Sequence, residues 1–412
     1  MRVLTPWHGL FFLGLFFVYV PLVPIDQETQ PFLALLPVIA YFLLAAVRGD
    51  FRQVPVSVLY VFTLVVLIAC RLALDATIAL TPASIVWAIK YLVGPFAFIY
   101  ASQLEKRPSD ALLLSVLALN VVLLGLLSLG PTAAIMQPLM DAFFGRYSGG
   151  DQVRGVSLLS PEPSYAVNYI MLFFLFGLFY VEDRKRKLLL IGLGLILLIF
   201  NRSLTAFAYC GAALVWMFYK TKRSVRLMSL LFFVLLAFAI THSERYALMA
   251  SAAEKVDFSN LVLAASILEP SGTTRILINV LATLGGLSSI IGNGLGSFSV
   301  VWSDIVREFG WLFYFDHEVI GRYYTEGIPL PPNSYLSSLI FDTGIPGFLW
   351  FVAFSVWYFR SLVRAGRSAA HIYFIVVFWF VNFMFQGQVS NPIPWAIMGL
   401  ALSRVKSNKE SA

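Results

Sequence analysis

The amino-acid sequence predicts an all-α polytopic membrane protein of about twelve transmembrane helices, with both termini cytoplasmic and one long external loop carrying short helices. Three observations predict it. Hydrophobic residues make up 59% of the chain and charged residues only 12%, against roughly 25% charged in a soluble domain. Apolar runs long enough to cross about 30 Å of hydrocarbon recur from end to end. Between them, clusters of Lys and Arg return at every second gap, the pattern left when cytoplasmic loops accumulate positive charge. Residues 1–412 therefore read as a single membrane domain. The pI near 9.3 reports orientation and not a nucleic-acid partner.

In chain order the spans fall near 7–25, 31–47, 54–73, 81–101, 110–130, 164–181, 188–201, 203–219, 227–241, 334–359, 369–385 and 391–403. The run 7–25 lacks a small-residue cleavage site and reads as a first span, not a signal peptide. With the N-terminus inside, roughly two thirds of the 29 Lys and Arg fall in cytoplasmic gaps. The clusters at 184–187 and 220–226 demand an even number of crossings between them, so 188–201 and 203–219 form a hairpin turning at Asn201-Arg202-Ser203. The apolar stretch 276–291 is short, and counting it as a span would break the charge alternation. It is expected as a helix at the membrane surface or against the bundle. Cys70 and Cys210 both fall in apolar runs and read as small buried hydrophobes.

Two external segments remain, 131–163 and 242–333. A structureless loop as long as the second is unusual, so it should carry helices of its own. Basic residues outside the cytoplasmic gaps run against the usual bias and invite explanation. Arg71 and Lys90, beside the gap between the third and fourth spans, read first as interfacial anchors.

Arg154 precedes Ser160-Pro161-Glu162-Pro163-Ser164-Tyr165 at the start of the sixth span. One reading is capping alone, with Ser160 as cap, Pro161 in the first turn and Glu162 at the positive end of the dipole. The other adds an anion pocket at a helix N-terminus, with Glu162 orienting or deprotonating a hydroxyl nucleophile. Arg275 follows Ser271-Gly272-Thr273-Thr274 and either pairs with Glu269, lies among headgroups, or binds an anion. The cluster Gly292-Asn293-Gly294-Leu295-Gly296 has no preceding strand and no phosphate-loop lysine, so it is a turn and not a nucleotide site. Asn333 or Ser334 caps the tenth span, where Gly344, Pro346 and Gly347 mark a kink beside the intramembrane Asp342. His317 sits in an isolated Asp-His-Glu triplet without zinc spacing. No Asp-x-Asp signature is present, and neither a metal nor another cofactor is expected.

Taken in order, these segments resemble the Wzy-type O-antigen and exopolysaccharide polymerases and the related O-antigen ligases. The likeness rests on Arg154 upstream of Glu162-Pro163-Ser164, Asn201-Arg202-Ser203 at a hairpin tip, and Arg275 ahead of the 292–298 glycine turn. Asn333-Ser334-Tyr335-Leu336, leading into Gly344-Ile345-Pro346-Gly347, completes it. Members usually carry a His just before that Asn-Ser-Tyr-Leu, where this chain has Pro332. The resemblance implies a metal-independent glycosyltransferase in the bacterial inner membrane, with its active site facing the periplasm. Its donor would be a polyprenyl-pyrophosphate-linked oligosaccharide, with membrane lipid and a chain-length regulator as partners. It further implies that Arg154, Arg202 and Arg275 bind pyrophosphate and that Glu162, or His317, acts as catalytic base. Ser164, Tyr165, Asn333 and Tyr335 would contact glycan or position the helix starts. A ligase acting on a lipid acceptor and a flippase of lipid-linked glycan are the alternatives.

Overall fold

The computed structural model describes residues 5–21, 29–48, 56–79, 81–104, 110–128, 130–144, 156–160, 162–181, 183–201, 203–220, 251, 270–309 and 331–403. Among the described residues there is no strand. The helices are α1 (Thr5–Phe16), α2 (Phe32–Arg48), α3 (Val56–Ala79), α4 (Pro82–Ser102), α5 (Asp110–Ser128), α6 (Gly130–Phe144) and α7 (Pro163–Phe179). They continue as α8 (Arg184–Asn201), α9 (Leu204–Lys220), α10 (Pro270–Leu287), α11 (Phe298–Phe309), α12 (Tyr335–Arg364), α13 (Ala369–Phe380) and α14 (Ile393–Leu402). Four of them, α3, α4, α5 and α12, are long and apolar enough to cross a membrane. The chain is thus an all-α protein of membrane character. Leu36, Leu43, Phe62 and Val122 leave 52, 61, 60 and 58% of their surface exposed, an apolar exterior suited to acyl chains and not to water.

Local sequence explains the helix ends. Thr81 Oγ1 accepts from the Ser84 amide at 3.2 Å, and Pro82 fits the first turn because its missing N–H is not needed there. Of the two cap candidates for the tenth span, Ser334 is the cap, its Oγ accepting from the Ser337 amide at 2.9 Å. The expected hairpin is present as α8 and α9. The segment 131–163, expected as the first external one, opens with α6, helical despite Pro138. The expected span 227–241 and about half of the segment 242–333 lie outside the described residues.

The core is aromatic. Trp395 of α14 is buried against Phe98 of α4, Tyr335 and Phe354 of α12, and Phe383, with ring centroids 6.4, 5.2, 5.4 and 5.0 Å away. Three of these pairs meet edge to face and the Phe354 pair is tilted at 45°; together they join α4, α12 and α14 through area burial and quadrupole complementarity.

α12 breaks where Gly344 takes φ 66° and ψ −145°. The 288–297 turn fits into that break. Asn293 and Gly294 amides donate to the Phe341 and Asp342 carbonyls at 2.8 and 3.2 Å, and the Ile345 amide donates to Ile290 O at 3.0 Å. Backbone groups freed by the kink are thereby satisfied inside the bundle. Of the two expected placements for 276–291, the helix therefore packs against the bundle. Ile278, Leu281 and Ala282 of α10 share a buried cluster with Phe341 of α12 and with Phe298 and Trp302 of α11.

Two sequence expectations change here, those for Arg71 and Cys70. Arg71 is not an interfacial anchor: it is buried, pairs with Asp75 at 2.9 Å and donates to Ile291 O at 2.6 Å. The inserted turn supplies carbonyls that a guanidinium can reach without leaving the protein. Lys90 places its ammonium over the Trp87 ring at 4.9 Å, a cation–π contact. Cys210 is buried as expected, but Cys70 is exposed on α3. Asp342, the intramembrane carboxylate, accepts from the Tyr91 hydroxyl at 2.8 Å and belongs to the scaffold of the inserted turn.

Candidate functional site

α7 starts two residues later than the capping pattern suggests. Tyr165 and Ala166 amides donate to Glu162 O at 3.1 and 3.4 Å, so Glu162 is the cap residue and Pro163 opens the helix. Ser160 does not cap. Its hydroxyl lies 2.7 Å from the Ser157 and Glu162 carbonyls and closes the preceding turn, in which Leu158 holds a positive φ of 54°. Pro163 explains the shift, since its fixed φ and missing N–H suit the first helical position. From the hairpin tip, the buried Asn201 side chain donates to the carbonyls of Val156 at 3.1 Å and Pro163 at 2.7 Å. Ser203 caps α9 by accepting from the Ala206 amide at 3.2 Å.

Glu162, held out by this turn, meets Arg275 of α10. The carboxylate and guanidinium lie 3.2 Å apart, with side chains 15% and 25% exposed. Segments separated by 113 residues are thus joined by one ion pair; Glu269, the partner expected for Arg275, lies outside the described residues. Arg275 also lines a polar recess with Tyr19, Tyr165, Asn168, Asn333 and Gln386. The rings of Tyr19 and Tyr165 stack in its wall, centroids 5.4 Å apart and nearly parallel at 7°.

Asn333 enters the wall through its backbone. Its amide donates to Asn279 Oδ1 at 2.9 Å, and its carbonyl accepts from Gly387 at 2.7 Å. Gln386 follows a π-helical turn, Val381–Phe385, that extends α13, a form frequent at functional sites.

Of the expected site residues, Glu162, Tyr165, Arg275 and Asn333 converge on this one place. Ser164 is buried next to them, and its hydroxyl has no hydrogen-bond partner. Tyr335 does not line the recess; it is buried in the aromatic core, its ring 5.7 Å from Tyr91 and 5.6 Å from Phe383. Arg154, Arg202 and His317 lie outside the described residues.

No protein-family model, curated protein or solved structure matches the chain. The site must be read on its own chemistry. A partly buried guanidinium beside a carboxylate, at the lip of an otherwise uncharged, hydrogen-bonding recess, is chemically able to hold an anion and to accept a proton close to it.

Reading motifs alone passed over Tyr19, Asn168, Gln386 and Asn391. The available signal was polar: Asn168 interrupts an apolar helix, and Gln386-Gly387-Gln388-Val389-Ser390-Asn391 is a carboxamide-rich gap between apolar runs.

Proposed function

We propose that the chain is a membrane glycosyltransferase that polymerises polyprenyl-pyrophosphate-linked oligosaccharide repeat units into O-antigen or exopolysaccharide. It works at the periplasmic face of the bacterial inner membrane, from a bundle of about twelve spans with both termini cytoplasmic. The observation that carries this reading is the 3.2 Å pair between Glu162 and Arg275. It supplies, side by side, a cation for the leaving pyrophosphate and a carboxylate for the attacking hydroxyl. Further support comes from where the segments meet. The ends of α1 and α3, the start of α7, the α8–α9 tip, Asn333 and the 386–391 turn all belong to the side that the charge pattern assigns to the exterior.

In the reaction, an acceptor sugar hydroxyl attacks the anomeric carbon of the donor. The new glycosidic bond forms as the bond from that carbon to the pyrophosphate oxygen breaks. The hydroxyl proton passes to Glu162. Charge growing on the leaving polyprenyl pyrophosphate is met by Arg275, whose planar fork offers donors beyond those that face Glu162.

Purified wild-type protein in lipid should lengthen a defined polyprenyl-pyrophosphate repeat unit without any other enzyme. Arg275→Ala should slow this by about 10²-fold or more, and Glu162→Gln by a comparable factor, with both variants folded and inserted. Wild-type elongation rates in both would sink the assignment. In cells lacking the chain, single repeat units should accumulate; unattached long chains would instead indicate a ligase.

A further inference from the structure

We infer that the recess behind Arg275 is the sugar-recognition subsite of the same site, taking a neutral polar ring substituent of the glycan through Asn168 and Gln386. The inference rests on the glycosyltransferase reading and adds to it the residues that recognise the glycan.

Asn168 and Gln386 are 2% and 7% exposed, and both line the recess. Each uses half of its carboxamide within the protein. Asn168 Nδ2 donates to the Tyr19 hydroxyl at 3.0 Å, and Gln386 Oε1 accepts from the Thr205 hydroxyl. The other halves, Asn168 Oδ1 and Gln386 Nε2, have no partner. Whichever way each amide is turned, one of its two polar atoms is engaged by a hydroxyl, which can donate or accept, and the other is left over. A second bond to that hydroxyl, from Asn391 Nδ2 at 2.9 Å, makes it the acceptor of two amides. Two residues that line the recess thus each keep one unpaired polar atom, Asn168 Oδ1 as acceptor and Gln386 Nε2 as donor.

Buried polar atoms without partners are rare in folded proteins and call for water or a ligand. Location favours the ligand. Arg275 stands in the same wall, so a group entering the recess lies next to whatever anion Arg275 holds. Apart from Arg275 the lining is uncharged, which suits a neutral sugar and not a second phosphate. A ring hydroxyl gives one proton and accepts one, the complement of Asn168 Oδ1 and Gln386 Nε2. The Tyr19–Tyr165 stack adds a flat apolar face of the kind sugar rings pack against.

The test uses the full chain in lipid nanodiscs and two probes. One is undecaprenyl pyrophosphate without sugar; the other is the same carrier bearing the repeat unit, extracted from cells that lack this chain. The variants are Asn168→Leu and Gln386→Met, each close in size to the native residue. Each should bind the glycosylated carrier about tenfold or more weakly, as expected when a hydrogen bond to a buried ligand is lost. Both should bind the bare carrier as wild type does, which also reports an intact fold. Arg275→Ala should weaken both probes. If the wild-type protein binds both probes and the recess variants bind the glycosylated one unchanged, the subsite is refuted and the enzymatic reading stands. Equal loss of both probes in the two variants also refutes it. If wild-type protein binds neither probe, the glycosyltransferase reading fails and the subsite falls with it.

Discussion

At the residue scale, the most exacting demand in the bundle is the burial of Arg71 and Asp75, whose side chains are 8% and 9% exposed. Asp75 Oδ1 meets the guanidinium, and its Oδ2 accepts from the Leu295 amide at 2.9 Å. Arg71 in turn serves the carbonyls of Ile291 and Gly292 at 2.6 and 3.3 Å. Charges this far from water hold only because each is paired and hydrogen-bonded. Arg71→Leu would strand Asp75 and should destabilise the protein by about 3–5 kcal/mol, whereas Arg71→Leu with Asp75→Leu should recover much of that loss. Thermal unfolding in detergent checks this; a double variant no better than the single one would contradict the pairing. Arg71 was visible in the sequence as a charge out of place, but its partners were not. Asp75 lies one helical turn away, while the carbonyls it shares come from a turn 220 residues later, a distance no periodicity spans.

At the element scale, the broken helix α12 and the inserted 288–297 turn are two halves of one device. Gly292 and Gly344 both take positive φ, 76° and 66°, and a Cβ on Gly292 would approach the Asp342 carbonyl carbon to 2.6 Å. Ala at either position meets both a strained backbone and neighbouring main chain, so Gly292→Ala and Gly344→Ala should each cost more than about 1–2 kcal/mol. Lowered melting temperatures would show it. Unchanged melting in both would mean that the turn is not held as described. Glycines at 292, 294 and 296 announce a turn in any sequence, and Gly344 with Pro346 announces a kink. What their spacing does not carry is that the turn fills the kink. The same limit hid the recess: Asn168 and Gln386 are ordinary polar residues until the fold sets them around Arg275.

At the scale of the whole molecule, apolar length and basic clusters located most helices to within a few residues. α4 at Pro82–Ser102 matches the expected span 81–101, and α8 with α9 match the hairpin. The orientation proposed from the same charges can be tested directly. In a protein whose exposed Cys70 has been replaced by Ser, a Cys at Lys185 should react with an impermeant thiol reagent only from the cytoplasm. A Cys at Pro331 should react only from the periplasm. Both positions are exposed; labelling of both from one side would overturn the threading and the external placement of the site.

The inserted turn also helps to decide where Arg275 stands. α10 spans 18 residues, a rod of about 27 Å at 1.5 Å per residue. Its far end runs into a turn bolted to α3 and α12, while its near end carries the guanidinium that meets Glu162. Held at that pivot and packed along its side against α12, the rod keeps Arg275 opposite the same carboxylate. Damage at the pivot, as in Gly292→Ala or Arg71→Leu, should therefore be felt at the tip, as lost precision in a reaction whose chemistry takes place far from the altered residue.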